Sequence, residues 1–238
     1  MFVTNMFGRL DGVTPKRPVS RRARPAKPAL TYEGIVATAV ALMRAEGLER
    51  VTMRRLAKEL DTGPASLYVY VADTTALHAA VLGEMLAEVD LRPVRGTGDW
   101  RDRIVAVLRS YTRVLFAHPA LARAALATWP SGDHYLALVD GLLALLAEGG
   151  VRGDRAAWGV DLLLQAGTAT AAEQVTRDAS GAGPRQRDTF VAALRDAAPG
   201  RFPHLAARAE DLLSGSGEDR LTWHFRVLIT GIERTARP

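Results

Sequence analysis

The most constraining feature of the chain is a pair of short segments with helical periodicity, 52–60 and 64–70, separated by only three residues. The first segment begins at Thr52, a favourable N-cap residue. The second begins at Pro64, which suits the first position of a helix. Because the turn between them is so short, the second helix must cross the first at a steep angle. The spacing therefore predicts a helix-turn-helix.

Helical periodicity continues through the rest of the chain, and no segment alternates apolar and polar residues over a strand's length. We therefore predict an all-α fold without strands. Thr31 and Asp73 are the N-caps expected for the helices on either side of the helix-turn-helix. Later helices are predicted at 100–117, 119–127, 133–148, 154–177, 186–197, 205–213 and 218–234, separated by proline- and glycine-containing turns.

Composition excludes several classes of protein. The 238 residues include no cysteine, which rules out disulfides, thiolate metal sites and a cysteine nucleophile. The N-terminal residues lack the apolar run of a secretory signal, and no stretch reaches the roughly 18 apolar residues of a membrane span. We expect a soluble cytoplasmic protein with no membrane partner.

Positive charge is concentrated at the N-terminus. Residues 1–29 contain seven basic groups and one acid, a net +6, whereas the whole chain carries +5. Four prolines lie among these basic residues, so we predict a disordered basic arm over 1–29. A second boundary is expected in the proline- and glycine-rich stretch 91–99, which divides the remainder into domains 30–90 and 99–238. The arm suits a polyanion, but it is also compatible with a leader that has no binding role.

The segment from Ile35 to Leu86 resembles the N-terminal domain of TetR-family transcriptional regulators. The resemblance lies in a helix ending AEGLERVT, then MRRLAKEL, a turn and SLYVYVADTTAL. It implies a three-helix DNA-binding domain containing the helix-turn-helix, followed by a helical domain for ligand binding and dimerisation. The expected partners are a double-stranded DNA operator, a small-molecule effector of unknown identity and a second copy of the chain.

By this resemblance, a set of residues on the two short helices and the next helix would face DNA. Arg54 would meet the backbone or a guanine edge, Ala65 would make apolar contact, and the hydroxyls of Tyr68 and Tyr70 would bind phosphates. Packing of the two tyrosines against neighbouring helices is the alternative. The full set of predicted DNA-binding residues is Thr52, Arg54, Arg55, Gly63, Pro64, Ala65, Ser66, Tyr68, Val69, Tyr70 and Thr74.

Two features depart from the family pattern. Asp61 stands where the turn usually carries glycine, although aspartate tolerates the left-handed conformation. Thr74 and Thr75 stand where a phosphate-binding lysine is frequent, and residues 31–75 hold five basic and six acidic groups. We therefore hypothesise that the basic arm contributes the missing phosphate contacts.

The C-terminal half is expected to carry the effector site and the dimer interface. Helix 154–177 is rich in small residues, and the last helix has apolar residues on two sides, with Trp223 and Val227 opposite the main stripe. Such helices suit a four-helix dimer interface, with a purely intrachain core as the alternative. The candidate effector-binding residues are Phe116, His118, Trp129, Tyr135, Trp158 and Gln165.

No phosphate-binding loop, zinc-binding histidine pair or nucleophile elbow occurs in the sequence. We predict no catalytic residue, no metal site and no cofactor. The favoured function is a ligand-responsive transcriptional regulator that acts as a repressor. Two alternatives remain: a DNA-binding regulator without a small ligand, and a helical enzyme or binding protein that has lost DNA recognition.

Overall fold

The helix-turn-helix forms because each of its helices has a distinct start signal. The computed structural model describes residues 29–179 and 183–236. Thr31 caps helix α1 by accepting a hydrogen bond from the Gly34 amide, and Gly47 ends it with φ +88. Thr52 and Asp73 cap α2 and α4 in the same way. The four N-terminal helices are α1 (Tyr32–Glu46), α2 (Met53–Glu59), α3 (Pro64–Leu67) and α4 (Thr74–Met85).

Helix α3 is shorter than the segment 64–70 that the sequence predicted. After Leu67 the amides of Tyr70 and Val71 both bond to the Leu67 carbonyl, so the chain tightens into a turn. Leu67 itself is fully buried and anchors the element to the core of the N-terminal helices.

The remaining described residues are also helical, and no strand occurs among them. The all-α prediction is confirmed. Most predicted boundaries hold within a few residues, but the expected helix 205–213 is broken at Arg208, whose backbone leaves the helical region (φ −129, ψ 11). The helices are α5 (Trp100–Ala117), α6 (Pro119–Ala124), α7 (Asp133–Glu148), α8 (Gly153–Ala179), α9 (Gly183–Arg195), α10 (Pro203–Ala206), α11 (Ala209–Leu213) and α12 (Gly217–Arg234).

The core of this second part lies between α5 and α8, with α7 and α12 packed beside them. Two glycines of α8 permit close approach: a Cβ at Gly159 would lie 2.9 Å from Ile232, and one at Gly167 would lie 3.1 Å from Thr112. The small residues of α8 at these positions thus pack within the chain. This differs from the sequence interpretation, which assigned the small residues to the dimer interface.

The stretch 91–99, where a domain boundary was predicted, is packed against the helices around it. The Asp90 amide donates to the Ser110 hydroxyl at 2.8 Å, and Val94 lies against Gly141. Contacts therefore cross the predicted boundary, and the division into domains 30–90 and 99–238 stays a prediction. The basic arm predicted for 1–29 lies outside the described residues, apart from Ala29.

Candidate DNA-binding surface and effector domain

The turn between α2 and α3 has the conformation that its sequence requires. Asp61 has φ +48 and is the one residue other than glycine with positive φ in the described part of the chain. The Thr62 amide bonds to the Ala57 carbonyl at 2.9 Å, which closes the corner. His78 of α4 adds a contact from its Nε2 to the Val51 carbonyl at 2.9 Å. The first bond fixes the turn on the end of α2, and the second holds the segment before α2 against α4.

Helix α3 and the turn that follows it, 68–71, are exposed on one side and buried on the other. Leu67 and Val71 are buried, whereas Tyr68 is 53% and Val69 is 81% exposed. The alternative of tyrosines packed within the protein does not fit Tyr68. The predicted DNA-facing residues that lie exposed together here are Gly63, Pro64, Ala65, Ser66, Tyr68, Val69 and Tyr70.

The other predicted DNA-binding residues lie at helix starts. Thr52 accepts the Arg55 amide at 3.2 Å as N-cap of α2, and Arg54 is exposed in the first turn of this helix. Thr74 is half-buried at the first position of α4. The structure thus places the candidate residues on the ends of three helices.

Arg55 is engaged within the protein. Its guanidinium pairs with Glu46 of α1 at 2.5 Å and with Glu59 of α2 at 2.8 Å. The hydrogen bond from Arg55 holds the pKa of the Glu46 carboxyl below its usual range. Arg55 therefore braces α2 against α1, a role that the sequence resemblance did not indicate.

Acidic residues in α4 and just after α1 and α4 face two histidines and an arginine of the second part along one boundary. Glu88 lies 3.8 Å from His118, Glu84 lies 3.9 Å from His134, and Glu49 lies 3.3 Å from Arg123. We call these three pairs the polar seam. Sequence reasoning missed the seam, because its partners lie far apart along the chain and no local pattern joins them.

The polar seam continues into α1, where Arg44 pairs with Glu88 at 2.9 Å. Beside it, α4 touches the turn before α7 so closely that a Cβ on Gly83 would lie 1.9 Å from the Ser131 carbonyl oxygen. A shift of α6 or of this turn must therefore move α4 or break these contacts.

The structure does not gather the predicted effector residues into one pocket. Phe116 and His118 lie together at the α5–α6 junction, and Trp129 is 80% exposed beyond α6. Trp158 and Gln165 lie on the exposed side of α8. A groove does contain Phe116, and its other lining residues are Pro119, Gln174, Val175, Asp178 and Ala179.

Tyr111 of α5 is buried against α8, and Tyr135 of α7 is half-buried. The Tyr111 hydroxyl lies 2.6 Å from the Thr168 oxygen, and Thr168 donates to the Leu164 carbonyl, so Tyr111 is the donor of this pair. Burial raises the pKa of Tyr111 to about 12. Burial also raises the pKa of Tyr135, with a smaller contribution from Asp161. Both phenols are therefore neutral at physiological pH.

Helices α8 and α12 present large apolar residues to solvent. Trp158 and Leu162 are exposed on α8, and Trp223 and Val227 are exposed one turn apart on α12. We call these four residues the outer face. The opposite side of α12 is buried at Phe225, as predicted for its main apolar stripe, and burial of the second side against another copy stays a prediction.

The helix-turn-helix exposes its second helix, and a larger all-helical part follows it. This architecture is that of the helical DNA-binding transcriptional regulators. Residues 35–81 match the model of the bacterial regulatory proteins of the tetR family, and residues 92–236 match the tetracyclin repressor-like C-terminal domain. The chain belongs to the TetR family, which confirms the sequence resemblance.

Relatives support the same assignment over most of the chain. A helix-turn-helix-type transcriptional regulator of Saccharopolyspora erythraea is 32% identical over 220 residues, covering 88% of this chain and 87% of the relative. The solved structure of the Streptomyces coelicolor transcription regulator SCO7704 is 58% identical, with a TM-score of 0.74, covering 89% of this chain and 98% of that one.

A further solved structure carries a small molecule. ActR, a TetR family protein of Streptomyces coelicolor solved with actinorhodin, is 34% identical with a TM-score of 0.72, covering 86% of this chain and 97% of that one.

The described residues offer neither a metal site nor a membrane span. They contain no group of three or more histidine, aspartate or glutamate side chains placed to hold a metal ion. Within the same residues, no helix combines the length and apolar character needed to cross a membrane.

Proposed function

We propose that this chain is a ligand-responsive repressor that binds a palindromic operator as a homodimer and is released by a small hydrophobic effector. The observation that carries the proposal is the exposed edge of α3, held by buried Leu67 and Val71. Because one side of α3 is packed on the core and the other side is exposed, the helix can enter the major groove of DNA without a change in its conformation.

The roles on this edge follow from side-chain chemistry. The Tyr68 hydroxyl can donate to a phosphate oxygen, which sets the register of the helix on DNA. Val69 and Ala65 offer apolar contact to thymine methyl groups, and Arg54 can reach a phosphate or a guanine edge. Arg55 is left out of the direct contacts because both its carboxylate partners lie within the protein.

The outer face supports the homodimer. Four large apolar side chains on two neighbouring helices would exclude water if a second copy covered them. A two-fold axis through this face would pair the two α3 elements for half-sites about one helical turn apart. Dimerisation thus accounts for both the exposed apolar residues and the need for two recognition helices.

Release by an effector requires a connection between the two parts of the chain, and the polar seam supplies one. An effector that shifts the α5–α6 junction changes the His118–Glu88 contact and so the position of α4. The ligand then selects the arrangement of recognition helices that does not fit the operator. The complex of ActR with actinorhodin supports a small-molecule effector for this chain as well.

Operator binding tests the proposed role of α3. We expect Tyr68→Phe to weaken binding about tenfold, because a hydrogen bond to a charged phosphate is removed. The dependence of affinity on salt should stay unchanged, since the hydroxyl carries no charge. Fluorescence anisotropy with duplexes from the upstream region of the gene, at two salt concentrations, measures both quantities.

Phe190→Ala is the matched control, because Phe190 is an exposed aromatic residue on α9. It should bind the operator like the unaltered protein. Wild-type affinity of Tyr68→Phe on a specific duplex would contradict the phosphate contact. Binding by the unaltered protein that ignores sequence and falls steeply with salt would instead favour a regulator without operator specificity.

The basic arm is tested by deleting residues 1–28. Since residues 1–29 carry a net +6, we expect at least about tenfold weaker operator binding at low salt. The slope of log affinity against log salt should also become shallower, by roughly 0.9 for each phosphate that the arm no longer neutralises. A deletion that leaves both affinity and slope unchanged would show that the arm has no role in binding.

A further inference from the structure

The groove at the α5–α6 junction has the size and position of a ligand site. It is bounded by Phe116 at the end of α5, Pro119 at the start of α6 and the last two turns of α8. Its volume is about 510 Å³, within the range of roughly 300–1,000 Å³ typical of small-molecule sites. Most of its wall is apolar, as a hydrophobic ligand requires.

One lining residue is charged. Asp178 accepts a hydrogen bond from the Gln174 side-chain amide at 2.9 Å, and this donor is neutral. No basic side chain lies within 4.0 Å of the Asp178 carboxylate in the part of the chain that the structure describes. The neighbouring acid Glu173 is neutralised by Arg177, so the negative charge that remains at the groove is that of Asp178.

Two further features favour a positive charge in the groove. Asp178 lies in the last turn of α8, where the helix dipole adds partial negative charge. Phe116 is 36% exposed beside the groove, and the face of an aromatic ring attracts a cation. An anionic ligand would meet repulsion from both the carboxylate and the helix end.

The groove adjoins the polar seam. Phe116 and Pro119 flank His118, whose ring lies 3.8 Å from Glu88, and Glu88 also pairs with Arg44 of α1. A ligand that packs against Phe116 and Pro119 therefore presses on the turn that touches the DNA-binding helices.

We propose that this groove binds a hydrophobic organic monocation, and that such a cation is the class of effector that releases the protein from DNA. The inference rests on the proposed function for its regulatory consequence, but the binding site stands on its own geometry. Apolar walls bury the organic substituents, and Asp178 provides the counter-charge.

Two ions of the same shape and opposite charge test the site. Tetraphenylphosphonium and tetraphenylborate differ in the sign of their charge, so calorimetric titration of each separates electrostatic from apolar binding. We expect phosphonium to bind at least about tenfold more tightly than borate. Asp178→Asn should weaken phosphonium about tenfold and leave borate unchanged or tighter. Phe116→Ala should weaken both ions.

Asp196→Asn is the matched control, since Asp196 is exposed just after α9 and outside the groove. It should leave both affinities unchanged. Equal affinity for the two ions, or phosphonium binding that is indifferent to Asp178→Asn, would overturn the site.

The proposed effector role of the cation is tested by measuring the binding of the protein to operator DNA. Phosphonium should release the protein from the operator. Asp178→Asn should raise the phosphonium concentration needed for release by the same factor as it raises the Kd for phosphonium. Binding without release would overturn the effector assignment. Failure of the unaltered protein to bind any operator, with Asp178-dependent phosphonium binding intact, would contradict the proposed function and leave the ligand site standing.

Discussion

Trp223→Glu is expected to convert the proposed dimer to a monomer and to lower operator affinity by at least about a hundredfold at nanomolar protein. Trp223 lies 69% exposed on the outer face, so a carboxylate there does not disturb the fold of one subunit. In a dimer, however, this position would be buried against the second copy, and an unpaired buried charge is costly. Loss of the second half-site then removes much of the DNA-binding free energy.

Sedimentation equilibrium and operator anisotropy measure the two effects, and circular dichroism verifies that helicity is retained. Trp129→Glu makes the same exchange at a tryptophan that is 80% exposed between α6 and α7. This control should remain dimeric and bind the operator normally. If the Trp223→Glu variant stays dimeric, the dimer interface does not lie on the outer face. A monomer with undiminished operator affinity would contradict the need for two half-sites.

Gly83→Ala is expected to destabilise the protein by about 2–3 kcal/mol, because overpacking a closed contact costs about this much. The added methyl would lie 1.9 Å from the Ser131 carbonyl oxygen. This oxygen belongs to the backbone and cannot rotate away, so α4 and the turn before α7 must separate. Helix propensity alone predicts the opposite sign, since alanine is favoured over glycine by about 1 kcal/mol in a helix.

Urea unfolding measures the change in the free energy of unfolding. Gly217→Ala is the control, because a Cβ at this first residue of α12 meets no atom within 4 Å. Its stability should change by less than about 0.5 kcal/mol. We also expect Gly83→Ala to alter operator affinity, since α4 carries His78, which contacts the start of α2. A stabilised Gly83→Ala protein would mean that α4 and this turn are further apart in solution.

Ion pairing changes how the electrostatics of the DNA-binding helices are interpreted. Residues 31–75 contain five basic and six acidic groups. Two of the basic groups, Arg44 and Arg55, are committed to carboxylates. Among the described residues no ion pair forms at Arg50, Arg54 or Lys58, so these three are the cations available to meet phosphates.

Local signals in the sequence were sufficient for the helix-turn-helix and for most helix boundaries, although they missed the early end of α3 and the break at Arg208. The caps Thr31, Thr52 and Asp73, the proline that begins α3 and the left-handed Asp61 act within a few residues of their own position. The apolar pattern of α12 likewise predicted the buried side that carries Phe225, Ile229 and Ile232, whereas its other apolar side, with Trp223 and Val227, is exposed. These interactions are short in sequence, so one stretch of chain contains both partners.

Only the tertiary structure decided which distant residues meet. The contact of Gly83 with Ser131, the pairing of Arg55 with Glu46, the polar seam and the groove lined by both Phe116 and Asp178 bring together residues that are separated along the chain. No periodicity or propensity encodes such pairs, because they depend on how complete helices pack. The sequence therefore determined the DNA-binding motif, whereas packing determined which charges remain available and where the groove beside Phe116 forms.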